Sequence, residues 1–454
     1  MRSDGVLPVE LPDAVREALL APLIDHNCRG VRRDDLTRAR FETLLTDAGT
    51  PAPPGTTHFD TPAGAAVRRW CAPVLGLAPH VPPAVYLARR SELGAAEVNR
   101  RLLGAAGIST FLLDGSGDSD DSEGFDGSDG FDGSDGSDGL HGPMGHADGA
   151  DTVRVVHIER AEEEVAGTAV SGVSYISALA QRLAERAVHA VALKSAAAHR
   201  SGRPLDPARP SRGAVIAAAT RRLACPGERL TDQVLLRHLL WTAVDVAREY
   251  GRPLQFHTGL ARYTGGARPG AHPGRGGSPT LGGRGGHQIY GGRGHGRLAG
   301  GSGPSAGHAG SGWGPDSGPH GAGPAPVTGF IVAAQPVGVP VVLLHSHPFH
   351  RQAAHLAGAL PHVYVDVGAA LTRSATGSAA VMAELLELVP FHKQLFGSGG
   401  HGVAETCHLG ALHYRRGLAG ALAARLADGE WSAADAARVA QMIGSGNARR
   451  IYRL

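Results

Sequence analysis

Short apolar runs alternate along this chain with longer stretches in which apolar residues recur every three or four positions. The first pattern reads as buried strand and the second as amphipathic helix. Strands are predicted at Pro22–Asp25, Thr152–Ile158, Ala190–Leu193, Pro253–Phe256, Pro340–Leu344, His362–Val367 and Gln394–Phe396. Helices are predicted from about Asp13, over Tyr175–Ala187, Leu230–Tyr250, His350–Ala359 and Ala379–Val389. In the longest of these, Val234, Leu235, Leu239, Leu240, Ala243 and Val246 mark the apolar face, and Gly251 supplies a stop. Val341-Val342-Leu343-Leu344 is apolar on both faces, as a parallel strand covered by helices must be. The repeated order of helix and buried strand predicts an α/β protein with a parallel sheet. About eight such units suit a closed (β/α)8 TIM barrel better than an open sheet.

Two stretches break the pattern. From Asp114 to Asp151 the chain is rich in Asp, Gly and Ser, with Gly-Phe-Asp-Gly-Ser-Asp at Gly124–Asp129 and again at Gly130–Asp135. Such a segment has little apolar surface to offset the entropy of ordering, so a disordered acidic loop is predicted. Calcium binding through its Asp oxygens is the sharper alternative, but the frame and bidentate Glu of an EF-hand are missing. From Tyr263 to Pro326 the chain is Gly-rich, with Arg275, Arg284, Arg293 and Arg297 among scattered His, Pro and Ser. A flexible loop is again predicted. An Arg/Gly tether for nucleic acid would need interleaved aromatics, and inside the run, past Tyr263 at its edge, only Tyr290 and Trp313 are present. The barrel is therefore expected in three pieces, 1–113, 152–262 and 327–454, with 114–151 and 263–326 as insertions.

Composition changes this picture little. The net charge of +2 gives no basic field for nucleic acid. Cys28, Cys71, Cys225 and Cys407 are too scattered for a zinc ribbon or a disulfide framework, and they read as reduced cytosolic thiols. Met1–Pro8 lacks the basic-then-apolar order of a signal peptide, and no apolar run reaches the roughly 18 to 20 residues of a membrane span. A soluble, cytoplasmic protein without membrane contact is the expectation.

Several predicted strands run directly into a polar residue: Leu193 into Lys194, Phe256 into His257, Leu344 into His345, and Phe396 into Gly397-Ser398-Gly399-Gly400-His401. In a (β/α)8 barrel the C-terminal strand ends converge on one mouth, where active sites sit. A single histidine there is as well explained by a hydrogen-bonded core position. Imidazoles at two facing ends suit zinc or a similar metal. Lys194 is compatible with a carbamylated bridging ligand, a partner for a substrate carboxylate or a structural ion pair.

These residues carry a family resemblance. Pro253-Leu254-Gln255-Phe256-His257-Thr258-Gly259 resembles the fifth-strand motif of the amidohydrolase-related family, in the branch similar to the N-terminal half of glutamine-synthetase fusion proteins. Val341–His345 with Pro348-Phe349-His350-Arg351 resembles its sixth-strand motif, Val363-Tyr364-Val365-Asp366 its seventh, and Gly444–Leu454 its closing helix. The resemblance implies a barrel of the amidohydrolase superfamily and a metal-dependent hydrolase of small molecules. In it a divalent cation, zinc first, activates water and an eighth-strand carboxylate takes the proton. It also implies that His257 and His345 are metal ligands and that Lys194 and His401 are catalytic candidates.

Three positions depart from the family pattern. The first strand usually ends in His-x-His, and here Asn27 and Arg29 stand at those places in Asp25-His26-Asn27-Cys28-Arg29-Gly30. The eighth usually ends in Ser/Thr-Asp-x-His, and here Gly399 replaces the Asp. An amide is a poor zinc ligand, a guanidinium none at all, and glycine has no side chain to offer. Strand alternation puts Asn27 and Arg29 on one face and His26 on the other, so His26 is a substitute ligand only if the strand end is irregular. His347, His350 and His401 are further possible recruits. Two expectations follow: a hydrolase scaffold with an altered, degraded metal site, or a catalytically inactive barrel that binds a ligand or partner, with Arg29 pairing a carboxylate or phosphate.

Overall fold

The computed structural model describes residues 7–46, 50–114, 150–200, 204–259, 323–366, 368 and 377–454. Eight strands pair in parallel and in chain order: β1 (Leu23–Cys28), β2 (Ile108–Asp114), β3 (Asp151–His157), β4 (Ala190–Ser195), β5 (Leu254–His257), β6 (Val341–Leu344), β7 (Val363–Asp366) and β8 (Gln394–Leu395). The first and last strands meet where His26 N donates to Phe396 O at 3.3 Å and where Val31 bridges Gly402, so the sheet curls into a (β/α)8 barrel. Described helices lie between every consecutive pair of strands except β2 and β3. The predicted insertions fall outside the described residues, apart from their ends. Asp114 closes β2, Asp151 opens β3, and Pro326 lies in the helix Ala325–Ala334.

The seven predicted strands recur with ends shifted by a few residues. β2 was not predicted, because Ser109 and Thr110 interrupt its apolar run and the Asp/Gly tract begins where it ends. The helix Gln233–Tyr250 starts where Asp232 accepts hydrogen bonds from Val234 N and Leu235 N. It stops at Gly251, whose φ of +63° most residues avoid.

Strand alternation divides the core in two. One face of the barrel strands packs Leu23, Phe111, Val156, Leu193, Phe256, Leu343 and Val365 against the helices. The other face fills the barrel with Ile24, Leu112, Val155, Ala192, Val342, Leu344, Tyr364 and Leu395. The interior is closed at the N-terminal ends of the strands by the last helix, Asn447–Tyr452, which adds Ala448, Ile451 and Tyr452. Asn447 Nδ2 ties that helix to the carbonyls of Phe391 and Gln394, both at 2.8 Å. Apolar side chains thus fill the floor of the barrel below its C-terminal mouth.

The helix that follows β8, Ala404–Ala427, lies against the strand end without a side chain between them. A Cβ at Gly410 would stand 2.6 Å from Ser398 O and 2.8 Å from Ser398 Cα. Gly410→Ala therefore has to push the helix off the β8 loop, at a cost of about 1–3 kcal/mol. A clear drop in the thermal unfolding midpoint is the expected result, and an unchanged midpoint would mean that this contact has slack.

Candidate functional site

The same alternation that fills the barrel aims the strand ends into its mouth. Asp114, His157, Lys194, His257 and Asp366 each follow by two an interior residue, namely Leu112, Val155, Ala192, Gln255 and Tyr364. His345 has the opposite parity, since Leu344 is interior. Its φ of +54° breaks the alternation, and its ring lies beside that of His257 with centroids 4.8 Å apart. A left-handed backbone at a residue other than glycine costs of order 1 kcal/mol, and such strain collects at functional positions.

Asp366 anchors the deep part of the site. Its Oδ1 accepts from His345 N at 3.2 Å, and its Oδ2 accepts from Asn27 Nδ2 at 3.1 Å. His26 Nε2 lies 3.1 Å from the same Oδ2. Neighbours His26 and Asn27 thus both turn inward, which meets the condition set for His26, an irregular strand end. The β1–β2 register slips between Asp25 and Cys28, so this strand end is irregular. His26 is nevertheless held below the mouth. Gln255 Nε2 donates to Tyr452 Oη at 2.9 Å, and that hydroxyl lies 2.9 Å from His26 Nδ1. Beside it, Asp25 accepts from Ser398 N at 2.9 Å and from the Ser398 hydroxyl, while complete burial lifts its carboxyl to about 6.

The opposite wall carries an ion pair. Lys194 Nζ donates to Asp114 Oδ2 at 2.5 Å, with the lysine almost fully buried. Burial opposes the Asp114 carboxylate, but the Lys194 and His157 charges, the Lys194 hydrogen bond and the Arg29 charge outweigh it and hold the carboxyl at about 2. The next strand end repeats the arrangement: His157 Nδ1 lies 3.2 Å from Glu159 Oε2, and Ser195 Oγ donates to Glu159 Oε1 at 2.7 Å. Burial disfavours the His157 imidazolium, yet the Glu159 hydrogen bond and charge, with Asp114, raise its pKa above the usual value.

Between these walls stand the replaced positions. Asn27 Nδ2 lies 3.0 Å from His345 Nε2 and 3.3 Å from His345 Nδ1, and Arg29 Nη2 lies 3.2 Å from His257 Nδ1. The Asp366 carboxylate fixes the amide of Asn27 with its NH2 group inward, since the amide oxygen would be repelled there. Both contacts bring an N–H donor to the edge of an imidazole, where it competes with a metal for the ring's one lone pair. Gly399 adds no side chain, and among the described residues no group of three His, Cys, Asp or Glu side chains is placed to hold a metal ion. The residues present do not fit a cation between β1, β5 and β6.

Of the residues singled out from sequence, His257, His345 and Lys194 come to the mouth. His401 stands on the loop after β8, its backbone N–H given to Thr406 Oγ1 at 3.0 Å. His350 Nε2 pairs instead with Glu384 at 2.9 Å, and the His347 and His350 rings stack at 5.4 Å. Asp114 and His157 were missed as site residues, although each ends a strand on the inward parity. A cavity of about 520 Å³ lined by Arg154, His189 and Arg252 lies at the opposite rim, beside the starts of β3 and β4.

The chain is a (β/α)8 barrel with polar strand-end residues at its C-terminal face, and it shares its fold with a metal-dependent hydrolase and with uronate isomerases. A provisionally described metal-dependent hydrolase from Lactobacillus casei ATCC 334 superposes with a TM-score of 0.70 over 98% of each chain, at 19% identity. Uronate isomerase from Thermotoga maritima gives 0.58 over 100% of this chain and 99% of that one, at 11% identity. Glucuronate isomerase from Caulobacter crescentus gives 0.56 over 100% and 97%, at 14% identity. At such identities the likeness is one of fold. In sequence, the chain is 32% identical over 123 residues to the protein FluG of Emericella nidulans, a match covering 27% of this chain and 14% of that protein. No family model matches the chain.

Proposed function

We propose that this chain is an amidohydrolase-type barrel that binds and acts on a small molecule at the C-terminal mouth, within the branch related to FluG. The observation that carries the reading is the convergence of Asp114, His157, Lys194, His257, His345 and Asp366 on that one mouth, above a floor packed with apolar side chains. The whole-chain likeness in fold to a metal-dependent hydrolase and to uronate isomerases supports it. By the family resemblance His257 and His345 would be the ligands for zinc or another divalent metal, and Lys194 and His401 the catalytic groups; the N–H donors against both imidazoles oppose a metal at that place. Arg29 and Asn27 orient His257 and His345, and Asp366 orients Asn27 and the His345 backbone. The cytoplasm is the proposed compartment: none of the four cysteines is in a disulfide, and no described helix is long and apolar enough to cross a membrane.

The Arg29–His257 and Asn27–His345 contacts favour a second reading, in which the barrel keeps its ligand site and has lost hydrolysis. Both readings place the ligand at the mouth and share one test. A small-molecule screen by thermal shift is expected to give hits that fade in His257→Ala and persist in His189→Ala. Hits that depend on His189, in the cavity at the other rim, would overturn the assignment of the site.

A further inference from the structure

The cavity at the other rim of the barrel is lined unlike the mouth. Its volume of about 520 Å³ lies within the roughly 300–1,000 Å³ of small-molecule sites. It forms where β3 and β4 fall out of step. Arg154 pairs with Ala190 and Val155 with Ala192, so Val191 is an extra residue, and such a bulge re-aims its neighbours. Arg252 joins from the turn between the helix stop at Gly251 and β5. The charged lining is then Arg154 and Arg252, with His189 exposed at the edge, and Val153, Val188 and Val191 give an apolar wall. No carboxylate belongs to the lining among the described residues. A cleft lined by one sign of charge gathers ions of the other.

The state of Arg252 points the same way. It is half-buried, and its Nε is enclosed without a hydrogen-bond partner among the described residues. A cation held in that way marks a place that water or an ion completes. Arg453 brings a third guanidinium against Gly251, into the space that a Cβ there would fill. Asp151 and Glu249, the acids closest along the chain, are both exposed, and neither forms an ion pair among the described residues.

We infer that this rim is a second binding site, which takes a small phosphomonoester with an apolar body. The phosphate dianion answers the two lining guanidiniums, whose planar forks suit its oxygens, where a monocarboxylate would answer one. The apolar body lies along Val153, Val188 and Val191. The site is separate from the mouth and stands or falls apart from it.

Calorimetric titration of the full chain with phenyl phosphate, benzoate and inorganic phosphate tests the inference, at about pH 7.5, where the ester is mostly a dianion. Phenyl phosphate and benzoate share the ring and differ in the anion, and inorganic phosphate lacks the ring. Phenyl phosphate is expected to bind more tightly than either. Arg252→Gln is expected to weaken it about tenfold or more, the loss of a charge-assisted contact, and Arg154→Gln, a second variant, to weaken it too. Circular dichroism and melting curves matching the parent would show that both variants fold. Binding is expected to persist in His257→Ala, at the mouth, and in His189→Ala, since the arginines hold the phosphate. Benzoate or inorganic phosphate binding as tightly as the ester, an affinity that survives both arginine variants, loss of binding in His257→Ala, or no binding of phenyl phosphate at about 10 mM would each overturn the inference.

Discussion

Replacing Asn27 and Arg29 with histidine and Gly399 with aspartate is expected to give a chain that takes up a stoichiometric zinc ion, where the parent is expected to take up none. The physical change is large at each position. Asn27→His and Arg29→His remove two N–H donors from His345 and His257, remove a fixed positive charge, and supply two imidazoles in their place. Gly399→Asp adds the anionic oxygen that the β8 end lacks. Gly399 has a φ of +63°, in the left-handed region, where aspartate is among the better tolerated residues at a cost of roughly 1 kcal/mol. Single restorations are expected to gain little, because zinc needs about four ligands together. A triple variant that folds like the parent and still takes up no zinc would show that these three positions do not surround the His257–His345 pair as described.

Cutting Lys194 back to alanine is expected to be the most damaging single change at the mouth. It leaves the Asp114 carboxylate enclosed without its partner, while the pair itself is nearly buried. Removing one member of such a pair costs about 3–5 kcal/mol. For a chain of this size that corresponds to a fall in unfolding midpoint of roughly 5 °C or more. The double variant Lys194→Met with Asp114→Leu is expected to recover much of the loss, because no charge is then stranded. A Lys194→Ala chain as stable as the parent would mean that the amine is not committed to Asp114, and would favour a carbamylated or substrate-facing lysine instead.

The barrel was legible because parallel strands covered on both faces carry an unmistakable signature, as in Val341–Leu344, and because the turn residues lie where the helices stop, as at Gly251. β2 was not, since Ser109 and Thr110 dilute its apolar run. Part of the site was equally legible: Lys194, His257 and His345 each follow an apolar strand at once. Asp114 was hidden because it borders an acidic tract and looks like its first residue. His157 was taken for one more residue of a strand, although counting by twos from Val155 would have found it. The inward turns of Asn27 and His345 depend on a register slip and a left-handed backbone, which strand periodicity does not encode. What Arg29 does could be stated from sequence only as an exclusion of metal. Its contact with His257 converts that exclusion into a hydrogen-bond geometry.

The most direct test of this account is diffraction at the zinc absorption edge from crystals of the unaltered chain soaked in excess zinc. It reads the mouth itself, whatever histidines elsewhere bind. The account predicts no anomalous peak between the His257 and His345 rings, with Arg29 and Asn27 still donating to them. A full-occupancy peak between those rings would contradict it and restore a metal-centred hydrolase.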